Sequence, residues 1–347
     1  MRLTDLPSPC PIPASTVFAQ SRASALIQAP ERLASQQDAA LKSPSPGTLH
    51  GSVPADSHPR RFFDPGSGWF RRLERWISHN LSLRLFPRVP GMTWPYGRLL
   101  LRNLTLAEGT VDIPRLDPAF DGLKVLLITD PHAGPFVSSR DLERAFSRLS
   151  TVKPDLVLLG GDFTSTSVDE FQRAAAAFRR LRAPLGVFGV LGNHDHYTED
   201  PSGLRQLISA EGIHLLDNSS VEIRRGEARF RLAGIDDLGM GCSDLDAALD
   251  AWSGEEPCVL LSHNPDVFFE AAKRDVELVL SGHTHGGQVR IPGLPVLVRQ
   301  SRFRLDEGQY RFRDSQLVVS RGIGVVGLPL RVACPPEAVL LRFSSAA

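Results

Sequence analysis

The feature that most constrains this chain is a series of short apolar runs of strand length, each ending on side chains that can hold a metal ion. Residues 123–129 are almost unbroken in apolar character, as expected of a strand covered on both faces, and they run into Asp130 and His132. The run at 156–159 leads to Gly161 and Asp162, and the run at 187–191 leads to Gly192, Asn193, His194 and Asp195. A fourth run at 259–262 ends at His263, and a fifth at 278–281 is followed by Gly282, His283, Thr284 and His285. Helical stretches at 138–149 and around 170–181 separate the first three runs, which implies βαβ units and a largely parallel sheet there. Further strands are expected at 229–233, 317–320 and 339–342. Several of the later strands follow one another without a long helix, so the natural arrangement is a pair of mixed sheets with helices outside.

In open α/β sheets, ligands gather beyond the carboxyl ends of the strands. Five strand ends carrying carboxylate, imidazole and amide groups would therefore converge, and such a set without thiolates suits Mn, Fe or Zn. Where the backbone is extended, the alternating spacing of Asp130-x-His132 and His283-x-His285 places each pair on one side of the chain. The glycines at 161, 192 and 282 permit tight turns and close approach of backbone to ligand. There are too many ligands for one four-coordinate ion. Two divalent ions about 3.5–4 Å apart, bridged by a carboxylate, use them all.

Asp130-x-His132, Gly161-Asp162, Gly192-Asn193-His194-Asp195, His263 and Gly282-His283-Thr284-His285 together resemble the signature of the calcineurin-like metallophosphoesterases, over roughly residues 95–343. The resemblance implies an α/β fold, a four-layer αββα sandwich of two mixed β-sheets flanked by helices, with a dimetal site at the C-terminal strand edges. It assigns Asp130, His132, Asp162 and His285 to the first ion, with Asp162 bridging, and Asn193, His263 and His283 to the second. His194 stands apart from the metal as a general acid or charge stabiliser, and Asp195 is expected to orient it through a hydrogen bond. The implied reaction is hydrolysis of a phosphodiester or pyrophosphate bond by in-line attack of a hydroxide held between the ions. Pro131 departs from the family, where Leu is frequent. Residues 282–289, Ser320-Arg321-Gly322 and residues 327–331 resemble the YkuE/YaeI-like branch. That branch includes membrane-associated phosphodiesterases and is similar to enzymes that cleave UDP-2,3-diacylglucosamine, so a lipid-linked phosphate ester is the implied substrate.

The rest of the chain divides by composition. Residues 1–60, rich in Pro, Ala, Ser and Gln, read as a disordered tail, and 61–94 as a basic amphipathic helix with a linker before the catalytic domain at 95–347. Trp69, Leu73, Trp76, Ile77 and Leu81 share one helical face, with Arg71, Arg72 and Arg75 off it. A helix over 69–85 of this kind lies on a membrane surface or packs on the catalytic domain; both readings stand. No run of about 18 apolar residues is present, and no signal peptide is recognisable, so a cytoplasmic protein is expected, peripheral on the inner face of the plasma membrane in the first reading. Lys+Arg and Asp+Glu are both 39, which argues against binding nucleic acid through overall charge. The four scattered cysteines form no C-x-x-C pair and are expected to be reduced. Arg290, Arg299, Arg302 and Arg304 form either a further phosphate seat or a solvated basic face. Two other functions compete: a soluble phosphodiesterase acting on nucleotides or small esters, and a non-catalytic scaffold, which the intact ligand set opposes.

Overall fold

The computed structural model describes residues 51–52, 102–291, 296 and 299–345. The strands are β1 (Gly51–Ser52), β2 (Thr105–Ile113), β3 (Lys124–Ile128), β4 (Leu156–Leu159), β5 (Val187–Gly189), β6 (His214–Leu215) and β7 (Ser219–Arg225). They continue as β8 (Ala228–Gly234), β9 (Cys258–Leu261), β10 (Leu278–Ser281), β11 (Gly308–Phe312), β12 (Ser315–Val319) and β13 (Glu337–Ser345). One sheet has the order β2-β13-β3-β4-β5-β6 and the other β1-β11-β12-β10-β9-β8-β7. β3, β4, β5 and β6 run parallel in the first sheet, and β8, β9, β10 and β12 in the second.

The apolar runs explain the layers. Side chains alternate across a strand, so Val125 and Leu127 of β3 enter the core between the sheets while Leu126 and Ile128 face a second core. Leu156 and Leu158 of β4 divide from Val157 and Leu159 in the same way. On the other sheet, Val259 and Leu261 of β9 and Leu278 and Leu280 of β10 point to the shared core, and Cys258, Leu260 and Val279 point outward. The outward faces are covered by helices. Ser139–Ser150, Val168–Phe178 and Pro201–Ala210 lie on the first sheet through residues such as Phe146, Phe171 and Ile208. Phe268–Ala272 lies on the second. This is the four-layer αββα sandwich with mixed sheets that the motifs imply. The helix Val168–Phe178 begins with a capping box in which Ser167 and Glu170 satisfy each other's backbone donors.

Five strands are not evident from the chain: β1, β2, β6, β7 and β11. Of the tail assigned to 1–60, only Gly51–Ser52 lies within the described residues, paired in parallel with β11. The amphipathic segment at 69–85 lies outside them. Among the described residues no helix is long and apolar enough to cross a membrane. Cys258 and Cys334 are free and buried, as expected. Cys242 departs from that expectation: it is exposed and disulfide-bonded.

Candidate metal centre

All seven expected ligands meet at the C-terminal edges of the two sheets. Ligand atoms of Asp130, His132, Asp162 and His285 lie within 4.8 Å of one another, and all four residues are buried. His132 Nε2 and His285 Nε2 face each other at 3.2 Å. A second group forms around His263, whose Nε2 is 3.1 Å from Asn193 Oδ1 and 3.1 Å from His283 Nδ1. The two groups share a single atom. Asp162 Oδ2 is 3.4 Å from His132 Nε2 and 3.4 Å from His263 Nε2, while Asp162 Oδ1 accepts the His194 amide at 2.8 Å.

This donor set fits divalent ions. The contacts bring carboxylate and amide oxygens and imidazole nitrogens to within 3.1–3.4 Å of one another, the hard and borderline donors that divalent ions take. A proton reconciles one pair at a time; an ion reconciles four ligands at once. At His285, Arg331 Nη2 donates to Nδ1 at 3.1 Å, so the neutral ring carries its proton on Nε2; at His263 the tautomer is the one a ligand needs. His263 Nδ1 is 2.7 Å from the Gly160 carbonyl, which only accepts, so Nδ1 carries a proton and Nε2 turns to the site.

The local backbone differs from the extended geometry expected for the D-x-H and H-x-H pairs. Asp130, His132, Asp162, His283 and His285 all have positive φ, from 44° to 72°. Each non-glycine residue in this region costs about 1–3 kcal/mol, and such strain clusters where function over-determines the backbone. The reason for these turns is convergence. The loops must double back within a residue or two of the strand ends to bring side chains from five strands to one point. Two glycines make room: a Cβ on Gly282 would sit 2.5 Å from Asp130 Oδ2, and one on Gly322 would sit 2.7 Å from the same oxygen.

Charge is distributed unevenly. Burial pushes His132 and His283 down to about 3, so both are neutral and ready to ligate. Burial also lowers His285, helped by His132. Asp130 is raised to about 6 by burial. Asp162 goes the other way: burial opposes its charge, but the imidazoles of His263 and His194 outweigh that and hold it well below the usual range. His263 is the counterpart, raised well above its ordinary value because Asp162 overrides the effect of burial.

A pH dependence follows from these shifts. In the metal-free protein at neutral pH, His263 is protonated, and metal must displace that proton. Metal uptake at pH 7 will therefore release protons, and affinity will rise with pH by about tenfold per unit for each proton released. Below about pH 6, Asp130 also takes up a proton, so the slope will steepen there. Calorimetric titration with Mn²⁺ in two buffers of different ionisation enthalpy reads this directly; identical heats in both buffers would refute it.

His194 sits beside the first group, its ring 4.7 Å from that of His132 in edge-to-face geometry. Its Nδ1 donates to the Ser165 carbonyl at 2.7 Å, so Nε2 is the nitrogen left to exchange a proton. Asp195 does not orient His194 in the expected way. Its carboxylate accepts the Gly192 amide at 2.9 Å and the Thr164 amide at 3.1 Å, tying the loop after β5 to the loop after β4. Two buried backbone amides compete better for this carboxylate than the adjacent ring does. Ser165 is itself fixed by Glu170, whose Oε2 accepts the amides of Ser165, Thr166 and Ser167. Arg290 pairs with Glu307 and Arg299 with Asp306, so two of the four arginines considered for phosphate are already neutralised.

Tyr197 was not singled out from the chain. Its hydroxyl accepts from Asn193 Nδ2 at 3.3 Å, which turns Asn193 Oδ1 toward His263, and its ring lies 5.0 Å from that of His194. The signal was its place four residues after Asn193. Tyr197→Phe keeps the ring and loses the amide clamp. Affinity for the more weakly held ion will fall about tenfold, as for outer partners of metal ligands generally, with turnover recovering at saturating Mn²⁺. Unchanged metal titration would show that the hydroxyl does not position Asn193.

A family model described as calcineurin-like phosphoesterase matches residues 123–287. The uncharacterized metallophosphoesterase YkuE of Bacillus subtilis is 30% identical over 261 residues, covering 74% of this chain and 91% of its own. A Danio rerio protein described as a transmembrane protein with metallophosphoesterase domain is 35% identical over 243 residues, 65% of this chain and 55% of that protein. The chain thus spans only about half of the Danio rerio relative and nearly all of the bacterial one. Among solved structures, a dimetal phosphatase from Danio rerio has 15% identity and a TM-score of 0.37, covering 65% of this chain and 100% of that one.

Proposed function

The chain belongs to the calcineurin-like phosphoesterase family, and from that premise we propose that it hydrolyses phosphodiester or pyrophosphate bonds at a site holding two divalent ions. The observation that carries this reading is the shared oxygen: Asp162 Oδ2 stands equally far from a ligand of each group, 3.4 Å from both His132 and His263. When bound, two such ions supply Lewis acidity toward the phosphoryl oxygens and a water of near-neutral pKa. The protein does the rest. Asp130, His132 and His285 fix one side of the centre, and Asn193, His263 and His283 fix the other. Ser165 holds the ring of His194 so that Nε2 can give a proton to the departing oxygen or stabilise charge on it. Asp195 keeps the loops bearing Asp162 and His194 in register.

The finer reading is a lipid-linked substrate at a membrane surface. It is supported by the branch motifs around Gly282 and Arg331 and by the transmembrane character named for the Danio rerio relative. A soluble phosphodiesterase acting on nucleotides is the competing case. Profiling the Mn-loaded enzyme against bis-esters, monoesters and lipid-linked pyrophosphates separates them. Lipid-linked pyrophosphates are expected to give the highest kcat/KM; a preference for free nucleotides would overturn the lipid-linked reading.

A further inference from the structure

Among the described residues, four large apolar side chains are exposed: Ile291 at 48%, Leu328 at 49%, Leu330 at 49% and Val332 at 39%. All four fall on two loops. One leaves the metal ligand His285, and the other returns toward β13. The loops are tied together. The Arg290 amide donates to the Val332 carbonyl at 2.9 Å, and the Val332 amide donates to the Gln288 carbonyl at 3.1 Å. The Gln288 side chain donates to the carbonyls of Val326 and Leu328 and accepts the Val326 amide. The projection is also anchored to the site: the Arg331 guanidinium donates to the carbonyls of His285, Gly322 and Gly324.

Scattered apolar residues on a surface need no explanation, but all of those described gathered on one braced projection do. Its charge and composition narrow the choice of what covers it. No Asp or Glu occurs in 288–305 or in 315–336, whereas Arg290, Arg299, Arg302, Arg304, Arg321 and Arg331 do. The acidic partners of Arg290, Arg299 and Arg321 lie outside both stretches, at 306, 307 and 337. Protein interfaces concentrate Trp, Tyr and Phe at their centres; these loops present only aliphatic side chains at the tip. An aliphatic tip beside six arginines, which outnumber the three carboxylates that pair with them, matches an anionic bilayer, which takes up apolar side chains and attracts arginine.

We propose that loops 288–291 and 326–332 form a rim that inserts into an anionic membrane surface and holds the mouth of the metal site against it. This deepens the membrane-surface reading above and rests on it for the nature of the substrate, but not for the binding itself.

The test uses the full chain, Mn-loaded, in flotation with vesicles of phosphatidylcholine alone or with a third phosphatidylglycerol. The unmodified protein will float with the anionic vesicles. The variants Leu328→Ser/Leu330→Ser and Ile291→Ser/Val332→Ser, made separately so that a folding defect in one leaves the other to decide, will each lose at least about fivefold in bound fraction. Hydrolysis of a soluble chromogenic bis-ester will stay unchanged, because no substituted side chain touches the ligands. Equal flotation of all forms overturns the proposal. So does a rim that instead mediates self-association, seen as concentration-dependent dimers that the same substitutions abolish while vesicle binding persists. If the rim governs flotation but the unmodified enzyme hydrolyses no phosphate ester, the membrane rim stands and the catalytic reading fails.

Discussion

Asp162→Asn will strip the centre of metal and lower kcat/KM on a soluble bis-ester by at least about 10³-fold. The substitution changes one atom's chemistry and little of its shape. The asparagine oxygen will accept the His194 amide, as Asp162 Oδ1 does at 2.8 Å. That leaves an NH₂ group where Oδ2 stood, 3.4 Å from His132 Nε2 and from His263 Nε2. An NH₂ donates and cannot ligate, so both ion positions lose the same ligand at once. The charge balance fails with it. His263 is held protonated by the Asp162 carboxylate, so the variant will also lose the proton release that accompanies metal uptake. Metal content, measured after gel filtration, is expected to fall from about two ions per chain to fewer than one. A variant that kept two ions and normal turnover would remove Asp162 from the bridging position.

Much of this centre was legible in the chain because two independent patterns coincide. The run 156–159 is apolar at every position and 278–281 at all but its last, Ser281, which identifies strands covered on both faces, and their boundaries agree with β4 and β10 residue for residue. The ligands follow these runs at once, so locating the strands located the site. The strands that were missed are of another kind. β7 (Ser219–Arg225) and β11 (Gly308–Phe312) are largely polar, and β2 (Thr105–Ile113) pairs with β13, more than 200 residues away. Their identity as strands comes from partners, which local composition does not report.

The local geometry of the site was hidden for a related reason. The spacing of Asp130 and His132 suggested an extended segment, yet both adopt positive φ. Asp and His enter the left-handed region more readily than most residues, but the chain does not mark which of them will. At Asp130 the turn brings the side chain hard against Gly282 and Gly322, which lie some 150 and 190 positions further on. Asp195 makes the same point: the resemblance suggested His194 as its partner, but the backbone amides of Gly192 and Thr164 claim it. Residue chemistry was readable; which of several chemically competent partners each group meets was not.

His194→Ala will separate catalysis from metal binding. No ligand is removed, and the His194 backbone amide, which holds Asp162 Oδ1, is kept, so both ions will remain and KM will change little. Turnover will fall by about 10²–10⁴-fold, the usual contribution of a positioned acid or base. The dependence on leaving group will then say what the ring does. Nitrophenolate departs readily without a proton, whereas an alkoxide needs one. If Nε2 delivers that proton, the loss will be small for the nitrophenyl ester and near the top of the range for an alkyl ester of the same phosphate. An equal loss on both would assign the ring to stabilising charge on the phosphoryl oxygens, since that charge develops whatever group departs. The hydrogen bond from Nδ1 to the Ser165 carbonyl favours proton delivery, because it leaves Nε2 as the one exchangeable nitrogen and fixes where it points. Glu170→Gln tests that link from one step further away. It loses the charge on Oε2, which accepts three amides including that of Ser165, and with it part of the constraint on the Ser165 carbonyl. A loss confined to the alkyl ester, with metal content intact, is the result expected if orientation of Nε2 is what the capping box of the helix Val168–Phe178 secures.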